Sequence, residues 1–236
     1  MTQAVVVLPW RSAPSRIPAF EQVVAWYARH LPELSITTVD TDDDPFVLAA
    51  CRNRAIREAP DGAVVVINDA DTLPEVAPLR AAIAAAASSP LVHLPYTEYR
   101  WLGAHGSAQV AAGVPLADCD HTVIDGACSG VYVATASTWA SHGGQDEGFR
   151  GWGFEDAAWR LAHITLLGAP PARHPGRVFA LHHRAEVREG AGYEANAARM
   201  QRYRDADGDR DAMAELVGLD RTAAPAPAGS GDLDAA

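Results

Sequence analysis

Along the first third of the chain, unbroken apolar runs alternate with longer segments whose apolar residues recur at helical spacing. Residues 4–8 are apolar without interruption, the pattern of a strand buried on both faces. Residues 18–31 then carry Phe20, Val23, Val24, Tyr27 and Leu31 on one helical stripe, with Pro18 suited to a first turn. Residues 35–39 read as a second strand. Asp44 before Pro45 predicts a helix start, and that helix runs to about Glu58. Asp61-Gly62 marks a turn and residues 63–67 a third buried strand. This β-α-β-α-β order predicts an α/β fold with a mostly parallel central sheet flanked by helices.

The pattern weakens further on. Residues 76–87 predict an Ala-rich helix, 91–94 a short strand, 131–134 another, and 136–141 a short helix. Residues 98–125 have little periodicity and read as a long excursion with room for a short hairpin. A glycine-rich loop covers 143–153, and a helix starts at Glu155 and reaches His163. A late strand at 178–181 precedes helices at 193–204 and 210–219. Residues 222–236 hold mainly Ala, Pro, Gly, Ser and Asp, the composition of a disordered tail. The organisation expected is one domain over 1–221 followed by that tail.

Composition narrows the chemistry. Hydrophobic residues make up 48% of the 236, enough for a sizeable core. Charge is acidic, with 19 basic against 30 acidic residues and a net of −11, which argues against bulk nucleic-acid or anionic-membrane binding. Every basic residue is Arg. Without Lys there is no ordinary Walker-A loop, no Schiff-base lysine and no Ser–Lys dyad. Cys51, Cys119 and Cys128 are odd in number and form no CxxC pair, so neither a disulfide framework nor a cysteine-rich zinc site is expected. No stretch approaches the ~20 apolar residues of a membrane helix, and the expected location is the cytoplasm. No GxGxxG follows a strand, which disfavours a dinucleotide oxidoreductase.

Four groups of residues can carry chemistry. Asn68-Asp69-Ala70-Asp71 follows the third strand, where α/β folds bind ligands. Its alternating carboxylates suit Mg²⁺ or Mn²⁺ shared with a diphosphate, or else a polar turn before the next helix. Gly151-Trp152-Gly153-Phe154-Glu155-Asp156 sets an aromatic between glycines, before two carboxylates at a helix N-terminus. That suits a sugar site, or an acidic cap beside a core tryptophan. His182-His183 offers an imidazole to a metal, or is surface or core histidine. Arg11, Arg52 and Arg54 can neutralise phosphate, or lie on solvated faces.

In order, these pieces resemble the GT-A fold glycosyltransferases, above all the branch of the β-1,4-galactosyltransferases and polypeptide N-acetylgalactosaminyltransferases. Five features over roughly residues 5–184 carry the resemblance. They are Leu8-Pro9-Trp10-Arg11, Arg52-Asn53, Asp69-Ala70-Asp71, Cys128-Ser129-Gly130-Val131 leading into Gly151-Trp152-Gly153-Phe154-Glu155-Asp156, and His182-His183-Arg184. The resemblance implies a GT-A, Rossmann-like nucleotide-diphospho-sugar transferase fold. It also implies a transferase that takes a sugar from a nucleotide donor, most simply a UDP-sugar, to an acceptor hydroxyl. Asp69 and Asp71 would bind Mn²⁺ or Mg²⁺ with His182, or in its place His183. Pro9, Arg11, Asp40, Arg52 and Asp69 would contact the nucleotide. Trp152, Gly153 and Glu155 would frame sugars, with Asp156 the general base of an inverting reaction. A retaining reaction, a metal-dependent phosphohydrolase of sugar nucleotides and a silent binding module are the alternatives. The departures are Ala157-Ala158-Trp159, where the family continues acidic, and the segment 98–125. Both bear on the acceptor, which stays open among glycan, protein, metabolite and modified base. The expected setting is a bacterial or phage-infected cell. The segment 184–192 is a candidate lid.

Overall fold

The computed structural model describes residues 3–184 and 189–219. The expected tail at 222–236 lies outside them, as does part of the expected lid. Three strands form one side of the main sheet: the valine-rich β1 (Ala4–Pro9) and β3 (Val64–Asn68), and β2 (Ser35–Val39) at the edge. The first pairs in parallel with the other two. Between them run α1 (Ile17–His30) and α2 (Leu48–Arg57). β3 leads through a tight turn into β4 (Thr72–Pro74), then α3 (Val76–Ala86) and β5 (His93–Leu94).

The excursion at 98–125 is ordered. It comprises β6 (Glu98–Trp101), α4 (Gly103–Ala111) and β7 (Thr122–Val123), with β6 and β7 antiparallel. The hairpin was legible, but the helix was not. Next come β8 (Val131–Thr135), α5 (Ala136–Ala140), α6 (Glu155–Leu167), β9 (Ala172–Arg173) and β10 (Arg177–Ala180). Helices α7 (Ala191–Asp205) and α8 (Arg210–Leu216) close the described fold.

The main sheet has the order β2-β1-β3-β8-β5-β9, and a smaller sheet has the order β4-β10-β6-β7. In the main sheet only β8 runs against its neighbours, so the sheet is mixed but mostly parallel. The unbroken apolar runs follow from this arrangement. β3 lies between β1 and β8 with all five residues buried, so no face is left for polar side chains.

Two apolar clusters result. The larger joins the main sheet to α1, α2 and α3. The smaller, around Phe149, Ala158, Met200, Tyr203 and Met213, joins α6, α7 and α8. The start of α2 differs from expectation: it lies at Leu48 rather than near Asp44. Val47 stays extended and buried, and Phe46 lies against the Arg11 guanidinium, 5.2 Å from its ring centre. Tertiary packing thus holds residues 45–47 out of the helix.

Candidate functional site

The strand ends of β1 and β3 open into a cleft of about 220 Å³. Its lining includes Pro9, Arg11, Arg52, Asp69, Asp71, Trp152, Glu155, Asp156 and His183. Residues from distant parts of the chain therefore share one surface. Asp40, Gly153 and His182 are absent from that lining.

The turn carrying Asp69 and Asp71 is fixed by buried hydrogen bonds. Asn68, fully buried, accepts from the Tyr27 hydroxyl (2.9 Å) and donates to the carbonyls of Asp69 (2.7 Å) and Thr72 (2.9 Å). The Asp69 amide donates to the Gly130 carbonyl (2.7 Å), and the Leu181 amide donates to the Asp71 carbonyl (2.7 Å). The second of these ties the end of β10 to the acidic turn. It sets His183 Nε2 2.9 Å from Asp71 Oδ2. That hydrogen bond, with burial opposing it, raises the His183 pKa above its ordinary value.

His182, the first choice for the metal on sequence grounds, points elsewhere. It is exposed, its amide donates to Ser107 Oγ (2.8 Å), and its ring sits edge-on to Trp101. Adjacent residues in extended chain face opposite ways, and here His183 takes the inward side.

Arg52 is the centre of the site. It is 1% exposed and gripped by Asp69 through two contacts of 2.8 and 2.7 Å. Its other terminal nitrogen donates to Gln145 (3.0 Å) and approaches Asp156 (3.4 Å) and Glu155 (3.9 Å). Burial works to lower the Arg52 pKa, but Asp69 and the neighbouring carboxylates outweigh it and hold the guanidinium firmly charged. Burial pushes the Asp69 carboxyl up to about 6 while Arg52 pulls the other way. Burial, with Asp156 beside it, pushes Glu155 well above the usual carboxylate range.

Asn53, next on α2, fastens the following loop. Its Oδ1 accepts from the Gln145 amide (2.9 Å) and the Trp139 indole (2.9 Å), and its Nδ2 donates to the Gln145 carbonyl (2.7 Å). An adjacent Arg-Asn pair thus serves the carboxylates and the loop that delivers them.

Glu155 and Asp156 open α6. Phe154 before them has φ 76°, a left-handed conformation that is rare for an aromatic residue and costs about 1–3 kcal/mol. Surrounding contacts hold it there. Tyr193 packs against Phe154 (5.1 Å between ring centres) and stacks beside Trp152 (6.2 Å). Gly153 sits under the same ring at φ 107°. Asn196 accepts from the Arg150 amide (3.1 Å) and donates to the carbonyls of Arg150 (2.8 Å) and Trp152 (3.3 Å). Asp146 accepts from Arg199 at 2.6 and 2.7 Å and from the Tyr203 hydroxyl at 2.8 Å. Sequence reasoning missed this clamp. Its only trace was Tyr193, Asn196 and Arg199 at intervals of three, one face of a helix.

Arg11 and Asp40, expected as separate nucleotide contacts, pair with each other at 2.8 Å through two contacts. Arg11 also donates to the Asp43 carbonyl (2.7 Å) and the Thr41 carbonyl. The pair braces the loop that carries Phe46.

The donor set suits a divalent cation. Asp71 and His183 offer oxygen and nitrogen side by side on the cleft wall, as Mn²⁺ and similar ions prefer. Four carboxylates, those of Asp69, Asp71, Glu155 and Asp156, line the cleft, and three of them share the Arg52 guanidinium. Among the described residues, no group of three or more His, Cys, Asp or Glu side chains is gathered into a ready cage. The set fits an ion completed by its substrate rather than one enclosed by protein. Both Asp69 oxygens are already engaged by Arg52.

No family model and no curated protein matches the sequence. Solved structures do. The catalytic domain of Drosophila β1,4-galactosyltransferase 7, in complex with xylobiose, is similar over 84% of this chain and 80% of its own, at 16% identity and a TM-score of 0.53. GalNAc-T7 with UDP, GalNAc and Mn²⁺ is similar over 92% of this chain at 11% identity and a TM-score of 0.56. This chain spans 55% of that protein. It spans 65% of a mutant of the Drosophila enzyme with manganese, UDP-Gal and xylobiose, at 16% identity over 74% of this chain and a TM-score of 0.48. No helix among the described residues is long and apolar enough to cross a membrane. The cleft at the strand ends and the likeness to these two enzymes agree on one architecture: the chain has the GT-A fold of glycosyltransferases.

Proposed function

We propose that the protein is a metal-dependent glycosyltransferase that moves a sugar from a nucleotide diphosphate, most simply UDP, to an acceptor hydroxyl with inversion. One observation carries this reading. Asp71, His183, Arg52, Trp152 and the Glu155-Asp156 pair, scattered over the sequence, line a single cleft. The manganese and UDP named with the neighbouring structures support the same choice.

Asp71 and His183 would hold Mn²⁺ or Mg²⁺, which when bound offsets the negative charge that gathers on a leaving diphosphate. The protein's own residues do the rest. Arg52 cannot reach freely for phosphate while its nitrogens are shared among Asp69, Glu155 and Asp156. Its work is to hold those carboxylates in place, so that Asp69 braces the acidic turn from behind. Of the two α6 carboxylates, Asp156 is the more open, at 30% side-chain exposure against 14% for Glu155. Asp156 is therefore placed to take a proton from an acceptor hydroxyl. Glu155, whose pKa burial raises well above the usual carboxylate range, serves as a hydrogen-bonding group for sugar hydroxyls. Trp152, 39% exposed, offers a flat apolar face beside them.

The test is a thermal-shift screen of UDP, GDP, CDP, ADP and TDP with Mn²⁺ and with chelator. A shift selective for one diphosphate and lost with chelator, and lost again in Asp71→Asn, is the expected result. Asp156→Asn should keep that shift and lower transfer by roughly 10²–10⁴-fold. Normal transfer by Asp156→Asn would remove it as the base. Release of nucleotide that no acceptor accelerates would turn the reading to a phosphohydrolase.

A further inference from the structure

Away from the cleft, four imidazoles join α6 to the outer edge of the main sheet. His142, just after α5, is fully buried, with Trp139 and Trp159 edge-on to its ring at 5.3 and 5.9 Å between centres. His163, fully buried on α6, lies 5.3 Å from His142. His163 also meets the amide of Val92, the residue before His93 on β5. His93 in turn meets His174, which follows β9, at 2.9 Å from Nδ1 to Nε2.

Hydrogen bonding makes this set a neutral one. His163 Nδ1 faces the Ala169 carbonyl (3.0 Å), which can only accept, and Nε2 faces the Val92 amide (3.2 Å), which can only donate. A second proton on His163 would set N–H against N–H and break its hold on β5. His93 Nδ1 and His174 Nε2 share one proton for the same reason. Among the described residues, neither nitrogen of His142 nor Nε2 of His93 has a hydrogen-bond partner. The backbone of His142 and Gly144 lies near enough to favour the charged His142 ring weakly, against burial.

The surrounding elements bring no carboxylate to these rings among the described residues. β8 supplies Tyr132, whose hydroxyl burial keeps protonated, and α2 supplies Arg52 on the far side of the Tyr132 ring. β9 supplies Arg173, which turns to the Tyr96 ring and the Ala127 carbonyl. α3 supplies Arg80, exposed and paired with Glu33, and α6 itself carries Arg160 on its exposed side. Burial therefore pushes His142 down to about 3, and His93 and His163 down to about 4. Neighbouring imidazoles push the same way: His163 on His142, His174 on His93 and His93 on His163.

We propose that His142, His163, His93 and His174 form an acid-release latch: proton uptake below about pH 6 frees α6 from the β5–β9 edge of the main sheet. The latch stands whatever the cleft binds. In an opened or unfolded chain these rings take protons near their ordinary value of ~6.5. The folded rings refuse them. Stability is thus full above that value and falls as pH drops below it. Each ring favours opening by about tenfold per pH unit until its folded pKa is reached. His183, Asp69 and Glu155, whose folded pKa values are raised, act in the opposite sense. The comparison of wild type with a histidine variant cancels their effect.

The test combines urea unfolding, imidazole NMR and amide exchange of the full chain between about pH 7.5 and 5. His142→Phe, which keeps a ring among the aromatics, should flatten the pH dependence of the unfolding equilibrium by about tenfold per pH unit below about pH 6. An unchanged slope overturns the latch. In folded wild type, His142 and His163 should remain neutral at about pH 5.5, and either ring titrating near ~6.5 overturns it; this reading decides alone where the variant does not fold. Exchange at residues 159–167, corrected for its intrinsic rate, should rise about tenfold or more on acidification from about pH 7 to 5.5, while residues 64–68 change less. An equal rise in both segments would show general acid unfolding and remove the release of α6.

Discussion

The two walls of the cleft are held in opposite ways. The acidic turn of Asp69 and Asp71 grows out of β3, whose residues are all buried, and Asn68 and Gly130 pin its backbone from inside the protein. The wall bearing Trp152, Glu155 and Asp156 follows a long glycine-containing loop. It is fastened from outside by one face of α7, through Tyr193, Asn196 and Arg199. The first wall is as stable as the sheet. The second is as stable as a few polar contacts and ring packings to a single helix, outside the sheet's hydrogen-bond ladder, and local opening free energies follow such differences. Arg52 bridges the walls, because its guanidinium touches Asp69 on one and Asp156 on the other.

The largest way to break this arrangement is at the bridge. Arg52→Met should cost about 3–5 kcal/mol, because it leaves carboxylates buried without their partner. Urea denaturation measures the loss, and a change near zero would show that the walls stand independently.

Asp146→Asn acts on the outer wall alone and should cost about 1.5–3 kcal/mol at neutral pH, since charged hydrogen bonds to Arg199 are lost. Burial raises the Asp146 pKa, but Arg199, the Gly148 amide and Tyr203 outweigh it and hold the carboxyl below its usual range. A depressed folded pKa contributes stability that is present above the unfolded value, ~3.9, and lost as pH falls through the folded one. The gap between wild type and Asp146→Asn should therefore narrow below about pH 4. A gap constant down to pH 2 would contradict the charge argument.

The smallest effect is the sharpest test of the comparison. Asn196→Ala should lower global stability by only about 1 kcal/mol. It should nonetheless raise amide exchange at residues 150–154 and leave Asn68–Thr72 protected. Equal loosening of both walls would remove the distinction between them.

Much of the inner wall was legible in the sequence. Valine runs bounded by turns can hardly be anything but buried strands, and β2 lies where its pattern put it, at Ser35–Val39. The order of the motifs carried the fold. Helix α4 was illegible because Gly103 and Gly106 read as helix breakers, whereas Gly106 is required by contact with the Asp120 carbonyl. Helix α6 was read from its start over 155–163, with no end assigned. It continues to Leu167 and stops at Gly168 in the left-handed conformation, a stop signal that was present in the sequence.

For the site, residue types and their order were a property of the sequence: carboxylates after a strand, an aromatic between glycines, histidines after a late strand. The choice of partner was not. Only the folded chain set His183 rather than His182 against Asp71, joined Arg11 to Asp40, and gave both Asp69 oxygens to Arg52. The physical reason is range. Periodicity and turn chemistry act over a few residues and are written locally. Pairing among charged groups 17 to 112 positions apart is decided by which strand ends and helix termini the packed core brings together.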